Sequence, residues 1–172
     1  MVELRKFHID DKTNLAKLAN NKKIFDHVRD LFPQPYSEKD AEEFIGSCLR
    51  ENPPTTFAIE YRQKLAGVIS LTVQNDVYRK SAELGYWIGE LFWNKGIATD
   101  AVNHIVAYAF NDLDLIRVYA GVFEYNKASC KVLKKCGFEL EGILRKAVIK
   151  NNKLYDEFRY SIINSSRLKG EV

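Results

Sequence analysis

The stretch Tyr86-Trp87-Ile88-Gly89-Glu90-Leu91-Phe92-Trp93-Asn94-Lys95-Gly96-Ile97-Ala98-Thr99-Asp100-Ala101 reads as a strand, a glycine-containing loop and a helix start. From Ile97 the apolar residues Ile97, Ala98, Ala101, Val102, Ile105, Val106, Ala109 and Phe110 recur with a 3.6-residue period, predicting an amphipathic helix to about Asn111. Upstream, Ala82, Leu84, Tyr86 and Ile88 share one face of a strand over 81–89, with Glu83 on the other. A strand that feeds a helix through such a loop suits a phosphate group. The first helical turn carries N–H groups with no partner inside the helix, and the macrodipole adds positive potential. Gly96 lets an oxygen approach the backbone, Ala98 keeps the next turn open, and Lys95 adds a cation. An ordinary capped helix with a turn glycine explains the same residues, and a lone G-x-A spacing does not decide between the two.

On the N-terminal side, 56–61 and 65–74 are expected strands, joined at Arg62-Gln63-Lys64 as a hairpin. Before them Ser37 reads as an N-cap, with Ala41, Phe44, Ile45, Cys48 and Leu49 at helical spacing. That helix stops before Pro53-Pro54, and Pro33-Gln34-Pro35 makes a stiff loop ahead of it. A strand over 2–9 ends at Asp10-Asp11, which starts a short helix through Leu15, Leu18 and Ala19. A second apolar set, Ile24, Phe25, Val28, Leu31 and Phe32, leads into the prolines. On the C-terminal side come a loop over 91–99 ahead of the long helix, a strand over 115–122, and a short helix over 126–136 closed by Gly137. Strands over 138–150 and 154–163 follow, joined at Asn151-Asn152-Lys153. Residues from Asn164 are expected to fray. The order is α+β, a mixed α/β chain with helices packed on a central sheet that is partly antiparallel and partly βαβ. Its length, 172 residues, predicts one domain over 1–172.

Composition excludes several classes. The chain is 46% apolar and 28% charged, ordinary for a globular protein, and its formal charge of +3 is too small to imply nucleic acid. No apolar run approaches the ~20 residues that span a bilayer, and the N-terminus lacks a signal-peptide core. Cys48, Cys130 and Cys136 form no CxxC pair, and their odd number argues against a disulfide framework and a zinc site. Buried thiols in a reducing, cytoplasmic setting are expected. His8, His27 and His104 show no ligand spacing, so no metal is expected.

The ordered set of motifs resembles the GNAT superfamily of N-acetyltransferases, whose coenzyme A loop follows Q/R-x-x-G-x-G/A. Gly96 and Ala98 fit its last two positions, and Trp93 stands where the pattern has Gln or Arg. Trp93-Asn94-Lys95-Gly96-Ile97-Ala98-Thr99-Asp100-Ala101 is similar to the W-G-K-G-Y-A-T-E-A run of ribosomal-protein-alanine N-acetyltransferases of the RimJ and RimL type. Further on, Asn126 and Ser129 match N-x-x-S, Gly137-Phe138 matches G-F, and Glu141-Gly142 with Arg145 matches E-G-x-x-R. Pro35-Tyr36-Ser37 with Asp40-Ala41 resembles the loop and helix that wall the acceptor site. The likeness runs from Leu4 to Tyr160 and is strongest from Ala82 to Arg145.

What this resemblance implies is a strongly twisted, mostly antiparallel sheet of about seven strands. Its two central strands splay, and about four to five helices flank it. Trp93, Asn94, Lys95, Gly96, Ile97, Ala98 and Thr99 would hold the pyrophosphate of acetyl-CoA, the co-substrate, through backbone N–H groups. The backbone of Trp87 and Ile88 would pair with the pantetheine arm in the gap between the splayed strands, and Asn126 would bind near its thiol. The implied partners are acetyl-CoA and an amine acceptor, and a homodimer is compatible.

Ser129 is the candidate acid, donating to the leaving thiolate; the alternative is that it caps or flanks its helix. Many relatives use a tyrosine four residues before the glycine of G-F, but here that place is Leu133. Cys130, next to Ser129, reads as a buried inert thiol. Glu83 is the first candidate for the base that deprotonates the amine, the alternative being a partly solvated strand glutamate. A glutamate seven residues beyond the E-G glutamate serves in some relatives, and Val148 stands there. Asp156 and Glu157 are weaker candidates. For the acceptor, an α-amine with a pKa of ~8 asks less of a single weak base than a lysine at ~10.4, which points to a polypeptide N-terminus. A small amine of polyamine or aminoglycoside type is the alternative, and a non-catalytic coenzyme A sensor is the rival outside the enzyme class. Aromatic residues between Phe25 and Phe57 are read as core rather than as the lining of an acceptor pocket.

Overall fold

The computed structural model describes residues 1–167. Seven strands form one sheet in the order β1-β2-β3-β4-β5-β7-β6: β1 (Val2–Arg5), β2 (Thr56–Tyr61), β3 (Lys64–Val73), β4 (Ser81–Ile88), β5 (Arg117–Phe123), β6 (Glu139–Lys150) and β7 (Lys153–Ile163). Five α-helices accompany it among the described residues: α1 (Lys12–Ala19), α2 (Lys22–Phe25), α3 (Glu38–Cys48), α4 (Ile97–Asn111) and α5 (Lys127–Lys135). The sheet is mostly antiparallel with one parallel pair, β4 and β5. The α+β architecture expected from the sequence is therefore present.

Two compact units divide the chain. The first comprises Met1–Ser70 and Tyr86–Ala101, the second Leu71–Gly85 and the chain from Val102 on.

In the first unit, Ser37 caps α3 with a reciprocal box: its side chain accepts from the Asp40 N–H while the Asp40 carboxylate accepts from the Ser37 N–H. Ala41, Ile45 and Cys48 then face inward against Phe7, Leu15, Ala19, Tyr36, Ala58 and Val68. Phe7 meets Phe44 edge to face at 5.6 Å, and Phe32 meets both Tyr36 and Trp87. Phe32, Tyr36 and Phe44 are thus packing residues of this core, as the sequence suggested. Phe7 is 2% exposed, so truncating it to alanine costs about 3–5 kcal/mol. Around the core, Arg5 bridges Asp11 and Glu60 at 2.7 and 2.6 Å. Burial works to raise the Asp11 carboxyl, but the Arg5 guanidinium and the His8 N–H prevail and hold it below the ordinary range.

The β2–β3 hairpin turns on two residues rather than the expected three. Arg62 and Gln63 both take left-handed conformations (φ 51° and 60°), the twist-matched two-residue turn, so Lys64 already pairs with Tyr61. Of the apolar set from Ile24 to Phe32, only Ile24 and Phe25 fall in a helix, the one-turn α2, and isolated turns follow it. At the start of the expected loop over 91–99, Glu90–Phe92 winds into a 3-10 turn that begins one residue before it.

In the second unit, β5 alternates strictly. Val118, Ala120 and Val122 are buried, while Arg117, Tyr119, Gly121 and Phe123 are half-buried on the opposite face. β5 starts at Arg117 rather than 115, because the Leu115 N–H is taken by the Ala109 carbonyl at the end of α4. β7 pairs antiparallel with β5 from Arg117↔Ile163 to Phe123↔Glu157, and β6 pairs with β7 with register shifts after Leu140 and Leu144. Asn151 and Asn152, both at positive φ, turn the β6–β7 hairpin, again in two residues. The fraying expected from Asn164 is corrected in part. Asn164 donates to the Ile116 carbonyl at 2.8 Å and Ser165–Arg167 form a 3-10 turn; the remainder of that stretch lies outside the described residues.

Candidate active site

The loop singled out by the sequence lies in the first unit. β4 reaches it flush against β3: a Cβ on Gly67 would collide with the Trp87 carbonyl oxygen and lie 3.0 Å from the Ile88 Cα. The Gly89 N–H continues the contact, donating to the Ala66 carbonyl at 2.8 Å. The turn is then closed twice, by the Phe92 N–H on the Gly89 carbonyl at 2.8 Å and by the Trp93 indole Nε1 on the Ile88 carbonyl at 2.7 Å. Trp93, which departs from the family pattern, thus acts as a brace. Glu90, in the same turn, accepts from the Asn21 side chain at 2.8 Å and from Lys23, and these bonds hold its carboxyl below the ordinary range. Sequence reasoning gave Glu90 no part.

Beyond the brace, Asn94 (φ 58°) and Gly96 (φ 78°) both adopt left-handed backbone, and the first helical bond runs from the Asp100 N–H to the Gly96 carbonyl at 3.1 Å. Asn94, Lys95 and Gly96 are exposed, Ala98 and Thr99 half-buried, and Ile97 is buried as the anchor of α4. Nothing lies within 4 Å of where a Gly96 Cβ would be. Open space at Gly96, before the first turn of a 15-residue helix, is what a pyrophosphate requires. Lys95 has local partners in the turn. Its ammonium bonds the Leu91 carbonyl at 2.7 Å and lies 5.5 Å over the Phe92 ring, so in this conformation it stabilises the turn.

The catalytic candidates lie in the second unit. Asn126 is the N-cap of α5, its Oδ1 accepting from the Ser129 N–H at 3.1 Å. The cap is therefore Asn126, and Ser129 sits half-buried in the first turn. Cys130 is buried beside Tyr160, whose phenol is raised by burial and by that thiol. Leu133 is fully buried. Glu83 is half-buried on β4, in register with Tyr119 of β5; the recorded parallel pairs are Ser81↔Arg117, Ala82↔Val118 and Glu83↔Tyr119. Tyr119 in turn carries two guanidinium groups, Arg117 at 5.5 Å and Arg159 at 5.0 Å from its ring centre. Of the weaker candidates, Asp156 accepts from the Lys146 N–H at 3.0 Å and ion-pairs with its ammonium at 2.9 Å; these hold its carboxyl low, which suits a base poorly. Glu157 pairs with Arg159 at 2.5 Å. Among the described residues no group of three or more His, Cys, Asp or Glu could hold a metal, and no helix is long and apolar enough to cross a membrane.

Residues 2–139 match the family described as acetyltransferase (GNAT) domain, and the chain belongs to that family. It is an N-acetyltransferase, and acetyl-CoA is its co-substrate. A spermidine N(1)-acetyltransferase of Vibrio cholerae is 30% identical over 167 residues, spanning 96% of this chain and 94% of the relative. The crystal structure of the microcin C7 self immunity acetyltransferase MccE in complex with acetyl-CoA and AMP is 30% identical, with a TM-score of 0.79 over 94% of this chain and 92% of that one. RimJ of Mycobacterium smegmatis, in complex with CoA-disulfide, shares the fold at a TM-score of 0.85 and 21% identity, over 96% and 83% of the two chains.

Proposed function

We propose that the acceptor is the α-amino group of a polypeptide N-terminus. One observation carries this reading. Of the six acidic residues between Ile24 and Phe44, four have local partners on the surface: Asp26 with Lys22 at 2.7 Å, Glu42 with Lys12 at 3.0 Å, Glu43 with Lys39 at 3.8 Å, and Asp40 in the Ser37 cap. A wall built for a polycation would present several carboxylates to it. A monoamine with a pKa of ~8 needs no such cluster.

Acetyl-CoA supplies the activated acetyl group as a thioester. In the proposed reaction, N–H groups of the 94–99 loop hold the pyrophosphate and the Trp87–Ile88 backbone pairs with the pantetheine arm. Asn126 orients the first turn of α5, Ser129 donates a proton to the departing sulfur, and Glu83 takes the proton that the amine must lose. The alternative acceptor, a small polyamine, is favoured by the likeness to a spermidine acetyltransferase over nearly the whole chain. Comparing kcat/KM for an Ala- or Ser-starting peptide with that for spermidine and an aminoglycoside tests the choice. The peptide reading expects the peptide to lead, and a clear preference for either small amine overturns it.

A further inference from the structure

Two ties join the chain ahead of α3 to the stretch of β4 that leads into the candidate cofactor loop, all within the first unit. The Asn20 side chain accepts from the Tyr36 N–H at 3.2 Å, so residues 20 and 36 are held together and the chain between them forms a closed surface loop. The first tie is apolar. Phe32 lies 4.9 Å from the Tyr36 ring and meets Trp87 of β4 edge to face at 5.8 Å. Leu31 beside it is 93% exposed, so the loop turns one side to the core and leaves the other open.

The second tie is Glu90. One of its carboxylate oxygens accepts from the Asn21 side-chain amide at 2.8 Å, and the other accepts from the Lys23 ammonium. Asn21 is also the N-cap of α2, its Oδ1 accepting from the Lys23 N–H at 2.8 Å. A single carboxylate therefore grips both the cap and the first turn of α2. The turn that carries Glu90 closes through the Gly89 and Ile88 carbonyls, without this carboxylate. Trp87 and Glu90 bracket Ile88 and Gly89, so the loop is fastened on either side of the backbone proposed to pair with the pantetheine arm.

We propose that Glu90 is a positioning residue for the acceptor: through Asn21 and Lys23 it holds the 20–36 loop at a fixed place beside the cofactor stretch. The inference rests on the reading above that this loop belongs to the wall around the acceptor. A wall that drifts reduces the fraction of enzyme ready to take the acceptor, and the apparent affinity falls by that fraction. At saturating acceptor the wall is in place, so the loss shows in KM and not in kcat. Lys23 is 65% exposed, so its pair with Glu90 is weak by itself and the effect is several-fold rather than a hundredfold.

The test measures kcat and acceptor KM at saturating acetyl-CoA, with the best acceptor among an Ala-starting peptide, spermidine and an aminoglycoside. Glu90→Gln keeps the shape and removes the charge; Lys23→Met removes the partner and leaves the turn untouched. Each is expected to raise acceptor KM about three- to fivefold, with kcat and the coenzyme A Kd within about twofold of wild type. The double variant should cost no more than Glu90→Gln alone, because both changes cut one tie. Lys23→Arg keeps the charge and should keep the wild-type KM. Lys23→Met carries the test if Glu90→Gln fails to fold. An unchanged KM in the folded variants, an equal loss of coenzyme A affinity, or effects that simply add in the double variant overturns the positioning role alone. Transfer to no amine by the wild type overturns the amine-acceptor reading beneath it.

Discussion

The Trp93 indole donates to the Ile88 carbonyl across 2.7 Å, joining the end of β4 to the start of the loop proposed to hold the pyrophosphate. The residue that departs from the family pattern thus closes the turn between β4 and that loop. Trp93→Phe keeps an aromatic side chain but removes the indole donor and part of the bulk. It is expected to weaken coenzyme A binding several-fold, on the order of one hydrogen bond, with little loss of melting temperature in the unliganded protein. Calorimetric titration with coenzyme A checks this.

Gly96 and Gly67 should fail in different ways. Space around Gly96 is open but its φ is 78°, so Gly96→Val leaves packing intact, costs strain of about 1–2 kcal/mol and covers the backbone donors. The coenzyme A-dependent rise in melting temperature should disappear while the protein stays folded. Gly67→Ala instead drives a methyl into the Trp87 carbonyl and must move β4, lowering both stability and affinity. Thermal unfolding with and without coenzyme A separates the two.

Ser129→Ala is expected to lower kcat by about 10²-fold with little change in coenzyme A affinity, since its N–H bond to Asn126 survives the substitution. Glu83→Gln should lower the rate most below the acceptor pKa, where the amine arrives protonated. An unchanged kcat for Ser129→Ala assigns the acid role to water, and an unchanged profile for Glu83→Gln assigns the base elsewhere.

Glu141 supplies a stability prediction with a definite sign. The Arg117 guanidinium, against the opposing effect of burial and with help from the Ser161 hydroxyl, lowers its carboxyl to about 2 from 4.5. A lowered folded-state pKa contributes stability that is present above about 4.5 and is lost as the pH falls toward about 2. The stability gap between wild type and Glu141→Gln should be largest near neutral pH and close across that window. Because the Glu141 side chain is 38% exposed, the gap is about 1 kcal/mol or less. Urea unfolding at several pH values measures it.

Cys48 is raised to about 12, chiefly by burial. It should resist iodoacetamide in the native protein at pH 8 and react only after denaturation, as mapped by peptide mass spectrometry.

Periodicity and punctuation made most elements legible. The apolar repeat of α4 gave both its ends, and Ser37 announced α3, because these signals are local to the residues that form the element. The hairpin turns were read one residue too long, since nothing in Lys64 or Lys153 reveals that its neighbours take left-handed backbone. The candidate cofactor loop stood out because phosphate recognition by backbone needs a glycine at a fixed place. Its braces were not: Trp93 to Ile88 and Glu90 to Asn21 and Lys23 depend on how a turn folds back. Gly67 did leave a signal, a glycine inside a strand, which marks close backbone approach. The network of Arg117, Tyr119, Arg159 and Glu141 joins strands β5, β6 and β7 and could not be seen before the register was known.

Product analysis tests the central claim most directly. The purified protein is incubated with acetyl-CoA and a panel of amines, comprising Ala- and Ser-starting peptides, spermidine and an aminoglycoside, and the products are read by mass spectrometry. The expected result is a product carrying one added acetyl group on an amine nitrogen, formed with release of coenzyme A and absent in Gly96→Val. Tight coenzyme A binding with no acetylated product across acceptors of every class would contradict it and leave a coenzyme A-binding sensor in its place.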